Sequence, residues 1–195
     1  MDLYYPTEVA QSIFEAKGSQ FLSFLIPIEC FEEFLNEARA KHTKAVHFVT
    51  ASRYFNAQSQ IVESFSDDGE PKGTSGMPTL KVLRGYDLIE CALLSVRYFG
   101  GTLLGTGGLV RAYTQGAKGA ILQAQEQNLL KAYIPQSKET LFVSFSLLAQ
   151  VEYLAKKMEV KILKKEFLDK GVKLDIQAHK DYLSAFVLKV KSLNF

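Results

Sequence analysis

Apolar and polar positions divide "VAQSIFEAKGSQFLSFLIPI" into two strand-like runs joined at Lys17-Gly18, which predicts a hairpin. The next stretch, "CFEEFLNEARAKH", sets Phe31, Phe34, Leu35 and Ala38 at helical spacing. "VHFVTASRYF" and "IVESFS" read as strands. A Gly/Pro-rich loop, "DDGEPKGTSGMP", and a short helical "TLKVLRG" come after them. "LIECALLSVRYF" is apolar almost without interruption and predicts the central strand of a sheet. In "LVRAYTQGAKGAILQAQEQ" the residues Leu109, Tyr113, Gly116, Ala120 and Ala124 fall on one helical face. The small side chains on that stripe predict close packing against the sheet.

The pattern breaks at "QSK", beside Pro135, and restarts as strand, helix, two strands joined at Asp169-Lys170-Gly171, and a terminal helical segment. This predicts an α+β chain of two domains, residues 1–135 and 136–195. With 195 residues, 47% of them hydrophobic, the chain can build a substantial core. It lacks the run of about 18 apolar residues a membrane span needs, and its start lacks the order of a signal peptide, so the expected setting is the cytoplasm, away from membranes. Cys30 and Cys91 stand alone, without CxxC or Cys/His spacing, which disfavours a zinc site or a disulfide framework and implies no metal and no cofactor. Charge is uneven: residues 1–135 carry 12 Lys+Arg against 14 Asp+Glu, and residues 136–195 carry 11 lysines against 7 acids. A lysine-rich second domain suits a polyanion or, equally, a solvated surface.

Two loops stand out. "RYFGGTLLGTGGLVRAY" holds five glycines between Gly100 and Gly108, at a strand-to-helix junction where backbone amides offer partial positive charge. Gly100, Gly101, Gly107 and Gly108 would let a phosphate approach, with Thr102 and Thr106 as donors. The spacing matches neither GxxxxGK[ST] nor GxGxxG, which disfavours a nucleotide-binding enzyme and leaves a tight turn as the alternative. Arg97 and Arg111 bracket the stretch, with Tyr98 beside the first. Each arginine could grip phosphate or pair with Asp67, Asp68 or Glu70. Those three acids lie in the second loop, "SDDGEPKGTSGMP", where they fit either a divalent cation or general base, or plain turn chemistry with Thr74 or Ser75 capping a helix. His47 could serve as a base or be an ordinary strand residue. No nucleophile elbow or triad is present in the sequence, so no catalytic residue is assigned.

"AVHFVTA" at 45–51, "SDDGEPKGTSGMPTL" at 66–80 and "VRYFGGTLLGTGGLVRAY" at 96–113 together resemble the YigZ/IMPACT family. The likeness covers most of residues 19–125 and, more weakly, the second domain. It implies an N-terminal domain of the ribosomal protein S5 domain 2-like fold and a small ferredoxin-like α+β domain, each similar to a domain of translation elongation factor G. It also implies a non-enzymatic, translation-linked role, with RNA or the ribosome, or a protein partner, as what the chain engages. An enzyme acting on a phosphorylated substrate, with a cation at the acidic loop, is the alternative. Matched residue by residue, the family motifs fall on His47 and, in the acidic loop, on Asp67, Asp68, Gly69, Glu70, Pro71, Gly73, Thr74, Gly76 and Pro78. In the glycine loop they fall on Arg97, Tyr98, Phe99, Gly100, Gly101 and Thr102, then on Leu104 to Gly108 and on Arg111.

Overall fold

The computed structural model describes residues 2–193, and the chain falls into two compact units, Met1–Tyr133 and Ile134–Phe195. In chain order, unit 1 contains β1 (Tyr4–Pro6), β2 (Ala10–Ala16), β3 (Ser19–Pro27), α1 (Phe31–Lys41), β4 (His47–Phe55) and β5 (Ile61–Ser66). α2 (Gly76–Gly85), β6 (Cys91–Tyr98), α3 (Gly105–Glu126) and β7 (Leu130–Ala132) complete it. Five strands form an antiparallel sheet in the order β2-β3-β6-β4-β5, so the apolar run predicted to be central is the middle strand. Its apolar continuity follows from having both faces covered. Leu94 and Val96 pack with Phe24, Ile26 and Phe48 toward α1, while Leu93 packs with Leu25 and Ala51 toward α2 and α3.

The small residues of α3 let it lie directly on the sheet. A Cβ on Gly116 would stand 2.5 Å from Ser23 Oγ, and one on Gly119 would stand 2.8 Å from Ser12 Oγ. The Ser12 hydroxyl donates to the Gly116 carbonyl across the same contact, at 2.8 Å. Ile121, fully buried in this seam, contributes roughly 1.5–3 kcal/mol by leaving water. Two helices begin earlier than their apolar pattern indicates. α3 starts at Gly105, so Thr106, Gly107 and Gly108 form its first turn and are not part of a loop. α2 starts at Gly76, three residues before "TLKVLRG". The short strands β1 and β7, which pair antiparallel with each other, have no counterpart among the elements predicted from the pattern.

Unit 2 contains β8 (Gln136–Val143), α4 (Leu148–Lys157), β9 (Lys161–Leu168), β10 (Gly171–His179) and α5 (Lys180–Lys191). Its sheet is antiparallel in the order β8-β10-β9. Val143, Val172, Leu174 and Ile176 pack with Val151, Leu154 and Phe186 of the two helices into one core. The opposite face has no cover among the described residues of the unit. There Lys173 lies across from Phe142, and Gln177 across from Lys138 and Lys161.

Candidate functional site

The glycine loop and the acidic loop meet at one end of the unit 1 sheet. His47 begins β4 and is the cross-strand neighbour of Arg97 in β6, so both side chains leave the same face. Beneath them runs the 67–75 segment, and above them α3 begins. Together they enclose a recess of about 460 Å³, with apolar walls from Val46, Phe99 and Leu103 and a polar floor of His47, Glu70 and Arg97.

The floor is an ion pair withdrawn from water. Arg97 is 5% exposed and Glu70 7%. Arg97 Nη1 donates to Glu70 Oε1 at 2.6 Å, and the Tyr113 hydroxyl donates to the same oxygen at 2.7 Å. Burial, reinforced by the carboxylate beside it, pushes the Tyr113 hydroxyl far above its ordinary pKa and keeps it a donor. Phe21 lies under the guanidinium at 5.5 Å from its ring centroid and Phe99 at 5.6 Å, while Tyr113 meets Phe21 edge-on. Arg97 Nε is buried with no acceptor among the described residues.

His47 is oriented by the acidic loop. Its Nδ1–H donates to the Asp68 carbonyl at 2.7 Å, because a carbonyl can only accept, and that leaves Nε2 toward Glu70 Oε2, 3.8 Å away. The Asp68 carboxylate holds the start of β4, accepting from the Phe48 amide at 2.6 Å and from Arg39 at 3.3 Å. Asp67 caps α2 from nine residues before its start: Oδ1 accepts from the Ser75 amide, the Ser75 hydroxyl and the Gly76 amide, and Oδ2 from the Gly73 amide at 2.8 Å. Burial would raise the Asp67 pKa, but these donors outweigh it and hold the carboxyl below its ordinary value. Thr74 is buried and its hydroxyl donates to the Pro71 carbonyl. The three acids considered for a shared cation therefore have three separate tasks: capping a helix, anchoring a strand, and neutralising Arg97. Among the described residues no group of three or more His, Cys, Asp or Glu is placed to hold a metal ion.

The glycine loop divides into a pinned base and an open crest. The Gly100 amide donates to Ser19 Oγ at 3.1 Å, and its α-carbon lies against the Lys17-Gly18 turn. Gly101 at φ +82° and Gly105 at φ +71° need the left-handed backbone that glycine adopts freely. Thr102 sits exposed on the crest, and Thr106 lines the recess from the first turn of α3. No side chain at its N-cap closes that helix start. Arg111 is exposed one turn on and forms no salt bridge among the described residues. It lies alongside Gly107, where an added Cβ would stand 3.9 Å from Arg111 Nη1. Tyr98 does not join this group. It faces the α1 side of the sheet, where its hydroxyl shares a 2.8 Å hydrogen bond with His42 Nδ1.

Arg97 is thus engaged inside the protein, and Arg111 is left at the surface. Tyr113 gives no sign in the sequence of being a site residue, since its place on the apolar stripe of α3 hides a hydroxyl whose acceptor lies 43 residues away. The Impact N-terminal domain family matches residues 17–121, which contain both loops. The chain belongs to the IMPACT family. It is 37% identical over 159 residues to an IMPACT family member of Haemophilus influenzae, covering 78% of this chain and 74% of that protein. It is 35% identical over 156 residues to the IMPACT family member YigZ of Escherichia coli, with coverage of 78% and 74%. A crystal structure of a hypothetical protein superposes with a TM-score of 0.76 at 31% identity, covering 98% of this chain and 92% of that one. That structural likeness takes in both units of this IMPACT protein.

Proposed function

We propose that this IMPACT protein binds RNA, free or within the ribosome, through the start of α3 and Arg111. The observation that carries the reading is a 22-residue helix whose N-terminus no N-cap side chain closes, flanked by an exposed arginine without an ion pair among the described residues. Amide groups and partial positive charge at such a terminus favour a phosphate. The open face of the unit 2 sheet adds Lys138 and Lys161 on strands that also carry the exposed Phe142 and Phe167. Contacts of this kind position a strand without reading its sequence and weaken steeply with salt. The same reading takes unit 1 as S5 domain 2-like and unit 2 as ferredoxin-like, working in the cytoplasm as a translation-linked regulator. In support, strand–helix–strand–strand–helix with β10 between β8 and β9 follows the ferredoxin-like order through its fifth element.

Filter binding of single-stranded RNA across a salt series tests this. Arg111→Ala is expected to weaken binding and lower the log–log salt slope by about one. An affinity flat in salt, or untouched by the substitution, overturns it. A second reading, regulation by protein contact, is favoured by the apolar rim: Val46 is 50% exposed, Phe99 47% and Leu103 80%. Affinity purification with and without ribonuclease separates the two.

A further inference from the structure

We propose that a bound RNA strand continues from the start of α3 into the groove between α2 and α3, where Lys81 and Lys118 hold its backbone from opposite banks. This rests on the RNA reading above and gives the strand a path across unit 1. The groove has a volume of about 500 Å³. Lys81 and Val82 of α2, with Tyr86 just beyond that helix, form one bank, and Val110, Thr114 and Lys118 of α3 form the other; none of the lining residues is acidic. Among the described residues neither lysine forms a salt bridge, and Arg111 forms none either.

The charge of this surface runs against that of the unit that carries it. Residues 1–135 hold 12 Lys+Arg against 14 Asp+Glu, yet α2 and α3 hold four bases, Lys81, Arg84, Arg111 and Lys118, against one acid, Glu126, at the far end of α3. Glu63 of β5 neutralises Arg84, which leaves three cations without an ion pair among the described residues. Arg111 and Lys118 are seven residues apart, so they stand in line on α3, two turns and about 10 Å from each other. Lys81 lies across the groove from Lys118. Cations gathered without acids between them raise the local potential and attract a chain that carries repeated negative charge. The apolar surface of Val110 and Tyr86 between the banks suits the faces of bases without reading their sequence. A nucleic-acid strand fits this track better than an acidic peptide does, because Arg111 joins the groove to a helix start that no N-cap side chain closes.

The test measures fluorescence anisotropy of labelled hexauridylate, titrated with the full chain across a salt series. Six stacked nucleotides, at about 3.4 Å each, cover the roughly 20 Å of α3 from Gly105 to Lys118. Lys81→Gln and Lys118→Gln should each weaken binding about fivefold at about 0.1 M salt and lower the log–log salt slope by about 0.7, the share of one phosphate contact on a single strand, with melting temperatures unchanged. Lys41→Gln, on α1 across the sheet, removes the same charge away from the groove and should leave affinity and slope as they were. A loss with Lys41→Gln as large as with the groove variants means that net charge alone is felt and overturns the groove. Full binding by both groove variants, with Arg111→Ala still weakened, also overturns it and leaves the α3 site standing. Absence of binding by the unsubstituted chain overturns both. Labelled decaglutamate that loses affinity with the two substitutions, where hexauridylate does not, gives the groove to an acidic protein segment and overturns the RNA path.

Discussion

Replacing Glu70 with alanine removes the carboxylate that neutralises a buried cation. The Arg97 side chain is 6% exposed and that of Glu70 3%, so water cannot take over the lost contact. Breaking a buried pair on one side costs about 3–5 kcal/mol, and here the Tyr113 hydroxyl loses its acceptor at the same stroke. With a urea dependence of about 2 kcal/mol per molar, the unfolding midpoint of unit 1 should fall by roughly 2 M. Urea unfolding followed by hydrogen exchange, resolved by peptide, assigns the loss to residues 2–133 and uses the peptides of unit 2 as an internal reference. Glu70→Ala combined with Arg97→Met should recover much of the loss, because no uncompensated charge remains. A cost below about 1 kcal/mol, the size of an exposed pair, would refute the reasoning, as would a double variant less stable than Glu70→Ala alone. The outcome also governs how Arg97 variants are read in binding assays, since any loss there passes through the fold.

Gly100→Ala should prevent unit 1 from folding, because its Cβ would overlap the Gly18 carbonyl carbon, whereas Gly107→Ala, with nothing nearer than 3.9 Å, should leave stability within about 0.5 kcal/mol or raise it. Circular dichroism melts of the two variants decide this. Asp67 has a lowered folded pKa, so its contribution is complete above the unfolded value of about 3.9 and is lost as pH falls through the folded value. Asp67→Asn should therefore lower the melting temperature at pH 7 and flatten its decline as the pH falls below the unfolded value; an unchanged acid decline counts against the cap. Cys91 is buried, which pushes its thiol up, and Cys30 is exposed, so a thiol reagent should modify one cysteine in the native protein and two after unfolding. Rapid labelling of both in the native state would contradict the packing around β6.

Long periodic segments were the legible part of this sequence. The β2–β3 hairpin, the middle strand β6 and the small-residue stripe of α3 each extend over enough residues for a period to show. β1 and β7 have three residues apiece and find each other from opposite ends of unit 1, so neither displays a period. The early start of α3 was hidden for a related reason, while that of α2 was legible only in the candidate cap at Thr74 or Ser75, of which Ser75 is the N-cap residue. What allows α2 to begin at Gly76 is the Asp67 carboxylate, and what begins α3 is a run of glycines that carries no apolar signal. The unusual loops marked where the site lies, but the individual tasks of their acids depend on partners far away in sequence. Strand alternation puts Arg97 and Tyr98 on opposite faces, and only the three-dimensional fold shows Glu70 waiting on one of them and His42 on the other.

The contact between Gly18 and Gly100 has an evolutionary consequence. The hairpin turn and the root of the glycine loop occupy each other's side-chain space, across 82 positions of sequence. Gly100 cannot acquire a side chain while the Gly18 backbone stays in place, and Gly18, at φ +79° with the Gly100 carbonyl oxygen 3.0 Å from where its Cβ would stand, accepts one only under strain. A lineage that altered Gly100 would have to rebuild the turn, the loop and the Ser19 hydrogen bond between them together. The root of the glycine loop is therefore tied to a distant hairpin turn, and the crest is free to diversify at Thr102 and Leu103, between the left-handed Gly101 and Gly105.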